Sequence, residues 1–349
     1  MANPSAAAAR FDVVVVGSLN LDVVVRTRRH PAPGETVAGS DYLEVAGGKG
    51  LNQAVAAARA GARVAKVGAV GDDAAGELLR SILHDDGIDD ALVATVPGVP
   101  SGRAAITVDA SGENSIVVVP GANGHVGVDA LPSASVVLAQ LEVPQSAIAD
   151  AFARARDAGA RTMLDPSPAV PLGAHLVDLC DVIIPNEHEA AVLGGADMLG
   201  AHGADVIVTT GAAGARHPRG HRSSEMTAGL ATSDSAVRGD STPRRDAASR
   251  SDSTVGGTAA GRSASSDRSA AAATGDSITE RPSFDVDVVD TTGAGDAFRG
   301  AYAARRALGA TVSEALAVAL AAGALATTRV GAVPSQPHLA EIERLLATR

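Results

Sequence analysis

A glycine-rich stretch near the carboxyl terminus contains the side chain best suited to chemistry, Asp296. A β-branched run ends at Asp290, two glycines follow, and an alanine-rich amphipathic segment begins at Ala297. This order predicts a strand, a tight turn and a helix with Asp296 in its first turn. The unpaired N–H groups at a helix start can bind an anion, and a neighbouring carboxylate can take a proton from a hydroxyl group. The stretch fits phosphoryl transfer, and a glycine turn that binds no ligand is the alternative.

A polar pair follows the apolar run of residues 11–16, which predicts a buried parallel strand. Asn20 and Asp22 are two residues apart, so on an extended backbone both side chains lie on one face, just beyond the end of that strand. Ligands of open α/β sheets bind in the crevice at the carboxyl ends of the strands. The pair is therefore a candidate ligand site, with a polar turn as the alternative.

Residues 46–53 form a second glycine-rich loop that leads into a helix, and Lys49 and Asn52 lie in it. The loop is not a Walker A sequence, because Lys49 is followed by Gly50 rather than by Ser or Thr. The complete Gly-x-Gly-x-x-Gly pattern of dinucleotide-binding folds is also missing from the predicted strand–turn–helix segments. Two common nucleotide-binding signatures are thereby excluded.

Asn186 and Glu189 directly follow the predicted strand 182–184 and open a helix. Because they are three residues apart they share a helix face, and together they could orient water around a magnesium ion. The alternative is a capping box, in which each side chain satisfies a backbone N–H of the other. A third glycine-rich turn, at residues 209–214, follows the next predicted strand.

Composition excludes several classes of function. The net charge of −11 argues against nonspecific binding to nucleic acid or to an anionic membrane, which both favour a basic surface. The single cysteine, Cys180, excludes an intrachain disulfide and a cysteine-rich metal site, and its apolar neighbours predict a packed thiol. The sequence has no apolar run of about 20 residues and no signal-peptide pattern at its start. We therefore expect a soluble cytoplasmic protein.

Strands and helices alternate along most of the chain, which predicts an α/β fold with a central, mostly parallel sheet flanked by helices. We expect a single domain over residues 11–346, with a small β-sheet lid formed by about 21–46 and 100–120, and a flexible start at residues 1–10. Residues 216–283 consist mainly of Ser, Ala, Arg, Asp, Gly and Thr. That composition predicts a disordered surface insertion, with a phosphorylated or partner-binding tail as the alternative.

The order of these motifs resembles the ribokinase branch of the PfkB carbohydrate kinase family. The resemblance rests on residues 17–22, 47–54, 185–189 and 290–296, together with Gly121-Ala122-Asn123. It implies an ATP-dependent kinase that phosphorylates the primary hydroxyl of D-ribose, using Mg²⁺ and K⁺. It also implies a β lid that closes over the sugar and forms a homodimer contact.

The resemblance assigns residues to the sugar and to the transfer step. Asp296 would be the base, and the amides of Gly293, Ala294, Gly295 and Asp296 would stabilise the transferred phosphoryl group. The residues implied for the ribose hydroxyls are Asn20, Asp22, Gly48, Lys49, Asn52, Glu142 and Asp296.

It also assigns residues to the nucleotide and the metal ions. Glu189 would lie near Mg²⁺, in contact through water. The residues implied for the nucleotide are Asn186, Thr209, Thr210, Gly211, Ala212, Ala213, Gly214 and Gly295. The positions that match an activating potassium site, several of them through backbone carbonyls, are Asp290, Thr292, Ala326, Arg329, Gly331 and Ser335.

Two departures from the family pattern lie on the nucleotide side. The chain is about a dozen residues shorter than the pattern between Asn186 and Thr209, and the predicted insertion begins where strands bordering the adenine are expected. They favour the alternative of a non-catalytic ribose-binding protein with a degraded nucleotide site. The sequence also leaves open a kinase of another pentose or of a nucleoside in the same family.

Overall fold

The computed structural model describes residues 11–217 and 279–349. The predicted flexible start, residues 1–10, and most of the predicted insertion, residues 218–278, lie outside the described residues. All of the described residues belong to one compact unit. None of their helices is both long enough and apolar enough to cross a membrane.

Fourteen strands are present in the described part of the chain. In chain order they are β1 (Phe11–Val16), β2 (Asn20–Thr27), β3 (Gly39–Gly47), β4 (Val64–Gly71), β5 (Asp89–Val96), β6 (Gly102–Val108), β7 (Asn114–Val119), β8 (Ala134–Gln140), β9 (Arg161–Asp165), β10 (Val182–Ile183), β11 (Asp205–Val206), β12 (Val208–Thr209), β13 (Ala215–His217) and β14 (Thr279–Arg281).

Ten α-helices accompany these strands between residues 11–217 and 279–349. They are α1 (Lys49–Arg59), α2 (Ala74–Asp85), α3 (Gln145–Asp157), α4 (Ala174–Asp178), α5 (Glu187–Val192), α6 (Ala196–Gly200), α7 (Ala294–Ala307), α8 (Val312–Ala326), α9 (Ala332–Ser335) and α10 (Leu339–Leu346).

The central sheet has seven parallel strands in the order β11-β10-β9-β8-β1-β4-β5. Side chains of β1 alternate between two apolar clusters: Val13 and Val15 pack on the face covered by α1, α7 and α8, whereas Val14 and Val16 pack on the face covered by α3. A sheet buried on both faces explains the unbroken apolar runs in the sequence. The predicted fold class is confirmed.

Small residues set the distance between α1 and α7. A Cβ atom at Gly300 would lie 2.6 Å from Cβ of Ala56 and 2.6 Å from the carbonyl oxygen of Gln53. The glycine therefore allows the two helices to approach closely. That approach brings the start of α1 beside the first turn of α7, which contains Asp296.

A separate four-stranded sheet has the order β3-β2-β6-β7. Strands β2 and β6 run parallel, and the two outer pairs are antiparallel. All six side chains of β7 are exposed, including Ile116 to Val119, and so are Tyr42 and Leu43 on β3. The sheet thus presents apolar side chains to solvent, with β3 and β7 at its edges.

The structure corrects three expectations. The run before the glycine turn is not a strand: Val288 and Val289 are 63% and 61% exposed, and the N–H groups of Val289 and Asp290 donate to the carbonyl of Thr327 instead of to a neighbouring strand. Residues 205–208 form two short strands, β11 and β12, in different sheets. Both ends of the predicted insertion are ordered, because β13 and β14 pair antiparallel and β13 also pairs with β12.

Strand β5, which forms one edge of the central sheet, was not predicted from the sequence. Its burial is mixed, and Val93 is the one buried residue among its eight. An edge strand with this pattern lacks the continuous apolar run that marked β1. The shortened region after Asn186 contains two short helices, α5 and α6.

Candidate functional site

The first turn of α7 offers backbone donors to a ligand. Gly293, the residue before the helix, has φ of +78°, and a Cβ there would lie 3.0 Å from Cα of Ala332. Glycine is therefore required at this turn. The N–H groups of Gly295 and Asp296 donate no hydrogen bond to another described residue, whereas that of Ala294 donates to the carbonyl of Thr291. Unpaired donors at a helix start form an anion-binding hole.

The Asp296 carboxylate lies buried beside this hole. Asn52 donates to its Oδ2 over 2.9 Å, and Gln53 donates to its Oδ1 over 2.8 Å. Both donors come from the first five residues of α1, so the beginnings of α1 and α7 meet at one carboxylate. Each carboxylate oxygen can accept a further hydrogen bond, which gives Asp296 capacity to take a proton from a ligand hydroxyl.

Side chains from four elements converge around Asp296 in what we call the polar cluster. Asn20 accepts a hydrogen bond of 2.8 Å from Asn123, and Gly48 with φ of +88° packs on the backbone of Asn20. The members of the polar cluster are Asn20, Asp22, Gly48, Lys49, Asn52, Glu142 and Asp296, the same set that the resemblance implied for a sugar.

Glu142 is held at the start of α1. Its Oε2 accepts from the backbone N–H of Lys49 over 3.0 Å and from the hydroxyl of Ser18. The Ser18 hydroxyl in turn accepts from the N–H of Gly50 over 3.3 Å. The loop after β1, the helix α1 and the segment after β8 are therefore tied together at one carboxylate.

Three carboxylates and one ammonium determine the electrostatics of the polar cluster. Burial, together with the charges of Glu142 and Asp296, raises the pKa of Asp22 to about 7. Burial alone would lower the pKa of Lys49, but the charges of Asp296, Asp165 and Glu142 outweigh it and raise that pKa. The cluster is thus crowded with negative charge that Lys49 only partly balances.

One acceptor in the polar cluster has no partner. The Oδ1 atom of Asn52 is buried and receives no hydrogen bond from another described residue. A buried acceptor left unpaired costs about 1–3 kcal/mol, so a ligand that donates to it recovers that free energy. A hydroxyl group is a donor of suitable size and charge.

Asn186 and Glu189 form the capping box that was the alternative in the sequence reading. The Asn186 side chain accepts from the N–H of Glu189 over 2.7 Å, and the Glu189 Oε2 accepts from the N–H of Asn186 over 2.8 Å. The Glu189 Oε1 has no hydrogen bond to another described residue and remains available to water. The capping role is therefore compatible with a contact to a hydrated ion.

The turn of residues 209–214, which we call the outer turn, lies next to this cap. Asn186 bridges to Thr209, whose N–H donates to the carbonyl of Pro185 over 2.9 Å. Gly211, Ala212 and Ala213 are exposed. Gly214 has φ of +103°, and a Cβ there would collide with the carbonyl oxygen of Arg281. The structure therefore brings the residues implied for a nucleotide together, apart from Gly295 in α7.

Four of the six positions implied for potassium lie on two loops that contact each other: Asp290, Thr292, Arg329 and Gly331. Asp290 accepts from the N–H of Thr292 and from the N–H of Gly331, each over 2.9 Å. Burial raises the pKa of Asp290, but these hydrogen bonds outweigh it and lower that pKa. The Arg329 side chain pairs with Glu341, so only its backbone could face an ion.

Of the two remaining potassium positions, Ser335 is buried with its hydroxyl donating to the carbonyl of Ala332, and Ala326 ends α8. Among the described residues, no group of three or more His, Cys, Asp or Glu side chains is arranged to hold a metal ion. A cation here would need backbone carbonyls and water as ligands.

A buried polar network behind Asp296 was not predicted from the sequence. Gln53 donates to Asp165 over 2.7 Å as well as to Asp296, and it accepts from Gln140 over 2.6 Å. Arg299 contacts both Asp165 and Glu189 over 3.1 Å. The available signals were the position of Asp165 at the end of a predicted strand and the position of Arg299 three residues after Asp296.

Burial raises the pKa of Asp165 to about 7, and the charges of Glu189 and Asp296 add to that effect. Arg299 and Lys49 act in the opposite direction without cancelling it. The network thus holds a carboxyl group whose charge is costly beside the carboxylate of Asp296.

Comparisons with known proteins agree with this geometry. The sequence model of the pfkB family of carbohydrate kinases matches residues 10–232 and 252–339. Ribokinase of Bacillus subtilis is 32% identical over 347 residues, which cover 96% of this chain and 99% of that protein.

Two solved structures are similar in fold over nearly the whole chain. Ribokinase of Thermotoga maritima has a TM-score of 0.74 and 26% identity, covering 96% of this chain and 99% of its own. Arabidopsis thaliana ribokinase, solved with ribose and ATP, has a TM-score of 0.73 and 27% identity, covering 96% and 98%. The chain belongs to the pfkB family of carbohydrate kinases.

Proposed function

We propose that this protein is a ribokinase, which transfers the γ-phosphoryl group of ATP to the primary hydroxyl of D-ribose and forms D-ribose 5-phosphate. The observation that supports it most is Asp296, buried between two side-chain donors and next to unpaired backbone N–H groups. The near full-length similarity to ribokinases agrees with this activity.

In the proposed reaction Asp296 accepts the proton of the primary hydroxyl as the hydroxyl oxygen attacks the γ-phosphorus, and the bond from that phosphorus to the leaving ADP breaks. Asn52 and Gln53 hold the carboxylate, so the lone pair that takes the proton keeps its direction. The N–H groups at the start of α7 stabilise the charge that gathers on the transferred group. The remaining hydroxyls of the sugar are bound by the polar cluster, with Asn52 Oδ1 as one acceptor.

The nucleotide is proposed to lie along the outer turn and the cap of α5. Glu189 would contact Mg²⁺ through water, since its Oε1 is free for a hydrogen bond while its Oε2 is committed. When bound with ATP, Mg²⁺ neutralises phosphate charge during the transfer. An activating K⁺ would lie between the loops of Asp290 and Gly331, which are already joined by a hydrogen bond.

The four-stranded sheet is proposed to act as a lid over the sugar and as the contact of a homodimer. Its supporting feature is the exposed apolar set on β3 and β7, which two copies could bury against each other. Sedimentation of the purified protein tests this, because Val117→Lys in β7 should then yield a monomer. A cytoplasmic location stays a prediction from composition.

A coupled ADP-release assay tests the activity. Pentoses, hexoses and nucleosides are offered with ATP and Mg²⁺, with and without K⁺. Ribose-dependent turnover that is lost in Asp296→Asn is the expected result. If no compound of the panel supports ADP release but ribose still raises the melting temperature, the non-catalytic sugar-binding protein is favoured instead.

A further inference from the structure

The buried network behind Asp296 is larger than a capping contact requires. It joins Gln140, Gln53, Asp165, Arg299 and Glu189, and each of these side chains is at most 7% exposed. Burying charged groups costs several kcal/mol per ion, and well-packed apolar residues in their place are often neutral or stabilising. Stability alone is therefore a weak reason for such a network at this position.

The amide of Gln53 has every hydrogen-bonding group committed. One N–H points to Asp165 over 2.7 Å and the other to Asp296 over 2.8 Å, while its oxygen accepts from Gln140 over 2.6 Å. Rotating the amide by half a turn would present an oxygen to two carboxylates and a donor to a donor. The direction of the contact on Asp296 Oδ1 is therefore fixed.

Asp165 in turn has a fixed position. Arg299 contacts its Oδ1 over 3.1 Å, and the same guanidinium donates to the carbonyl of Ile184 over 3.0 Å and to Glu189 over 3.1 Å. Glu189 is itself fixed by its capping contact with Asn186. The anchor of Gln53 thus rests on the end of β9, the segment after β10 and the helix α5.

We propose that Gln53 is a positioning residue for Asp296 and that Asp165 anchors it. The inference rests on the proposed function, in which Asp296 is the base. Gln53 keeps two buried carboxylates apart with one donor to each, and it directs the carboxylate so that its Oδ2 faces the sugar hydroxyl. A displacement of about 1 Å at a reacting group can lower the rate about 100-fold, so loss of this contact should act on kcat.

The test compares Gln53→Met with the wild-type enzyme. Met is close to Gln in size and removes both donors. We expect kcat to fall about 30- to 100-fold, while KM for ribose and for ATP changes less than about threefold. The dissociation constant for ribose, measured by calorimetry without ATP, should stay within the same threefold range. Asp165→Leu should lower kcat similarly, and the double variant should be no slower than the slower single variant.

Thr162→Val is the matched control. Thr162 is fully buried on β9, three residues from Asp165, and its hydroxyl donates to the carbonyl of Leu179 over 2.5 Å. This variant removes a buried polar group of the same strand, so it should lower the melting temperature with kcat unchanged. An equal fall of kcat in Thr162→Val would show general loosening and overturn the proposal.

Other results would also contradict the proposed role of Gln53. Unchanged kcat in Gln53→Met, or a loss confined to ribose affinity, contradicts positioning. If Gln53→Met does not fold, Gln140→Met replaces it: that variant leaves both carboxylate contacts but frees the amide of Gln53, and at least a threefold lower kcat is expected, whereas unchanged kcat contradicts the idea. A wild-type protein without turnover overturns the proposed function and this inference together, whereas an active wild type beside an equally active Gln53→Met overturns the inference alone.

Discussion

The polar cluster and the outer turn are built in different ways. The polar cluster is largely buried and is held by hydrogen bonds between elements: α1 is bonded to α7 and to the segment after β8, and Asn20 on β2 is bonded to Asn123. The outer turn is exposed at residues 211–213 and is held by strands of two and three residues. Buried polar groups in one network are mutually dependent, whereas an exposed turn is bonded mainly through its own backbone.

The sugar and the nucleotide therefore place different demands on the residues that bind them. A sugar needs many directed hydrogen bonds, which the crowded polar cluster can offer only if each member keeps its place. A nucleotide can be bound by backbone groups and a hydrated ion, which tolerate changes in nearby side chains and chain length. We therefore expect the sugar site to be the more sensitive of the two to small changes.

The largest effect is expected at the residue where both regions act on one reaction. Asp296→Asn keeps the shape of the side chain but removes the proposed base, so kcat should fall about 10³-fold while ribose still binds. Steady-state kinetics and calorimetry measure the two quantities. Asp150→Asn, an exposed change on α3, is the control with unchanged kcat. Comparable turnover in Asp296→Asn would remove Asp296 from the mechanism.

Two glycines allow the regions to be disturbed separately. A Cβ at Gly50 would lie 2.5 Å from the backbone of Gly17 and Ser18, so Gly50→Ala should raise KM for ribose about tenfold or more and leave KM for ATP unchanged. Gly214→Ala, strained at the outer turn, should do the reverse. Gly127→Ala has open space around it and should change neither. Equal effects of both variants on both substrates would mean that the regions are not independent.

The contrast also explains what the sequence could and could not predict. The members of the polar cluster follow predicted strands or open predicted helices, so their meeting at one edge of the sheet was expected from parallel topology. The contacts of Gln53, Asp165 and Arg299 were not, because they depend on how closely α1 and α7 approach at Gly300. No hydrophobic periodicity or motif in the sequence indicates the distance between these two helices.

Short elements were also not predicted correctly from the sequence. The run at Val288 and Val289 has the β-branched composition of a strand, but no described strand pairs with it, and hydrogen bonds to Thr327 hold it instead. Strands β13 and β14 have three residues each and lie at the ends of a low-complexity segment. Pairing across more than sixty residues of sequence cannot be read from the composition of either strand.

Charge in the polar cluster should make its stability depend on pH. The pKa of Asp22 is raised from 3.8 to about 7 in the folded protein, so the folded state holds this proton more tightly than the unfolded state. Stability contributed by Asp22 therefore falls as pH rises from about 4 to about 7 and stays low above that. Asp22→Asn should stabilise the ligand-free protein by about 4 kcal/mol at pH 8, because the pKa rises from 3.8 to about 7 and each pKa unit corresponds to about 1.36 kcal/mol, and it should change stability little near pH 4.

Denaturant unfolding at both pH values measures this effect, with exposed Asp129→Asn as the control. If Asp22 binds the sugar as proposed, the same Asp22→Asn variant should lose ribose affinity, because an NH2 donor takes the place of one carboxylate oxygen that would accept from a sugar hydroxyl. Stabilisation that is equal at pH 4 and pH 8 would contradict the assigned cause, since a gain independent of pH cannot come from the ionisation of Asp22.

The smallest effect is expected from shortening the chain beside the outer turn. His217 pairs directly with Thr279 across β13 and β14, so residues 218–278 can be replaced by Asn-Gly, a turn that suits a two-residue hairpin. KM for ribose should stay within about twofold, because the polar cluster is connected to other elements, and any change should appear first in KM for ATP. Steady-state kinetics on the shortened and full chains measures both. A shortened protein that loses ribose binding would show that the sugar site depends on residues beyond those that form the polar cluster, and the division between the two regions would then be wrong.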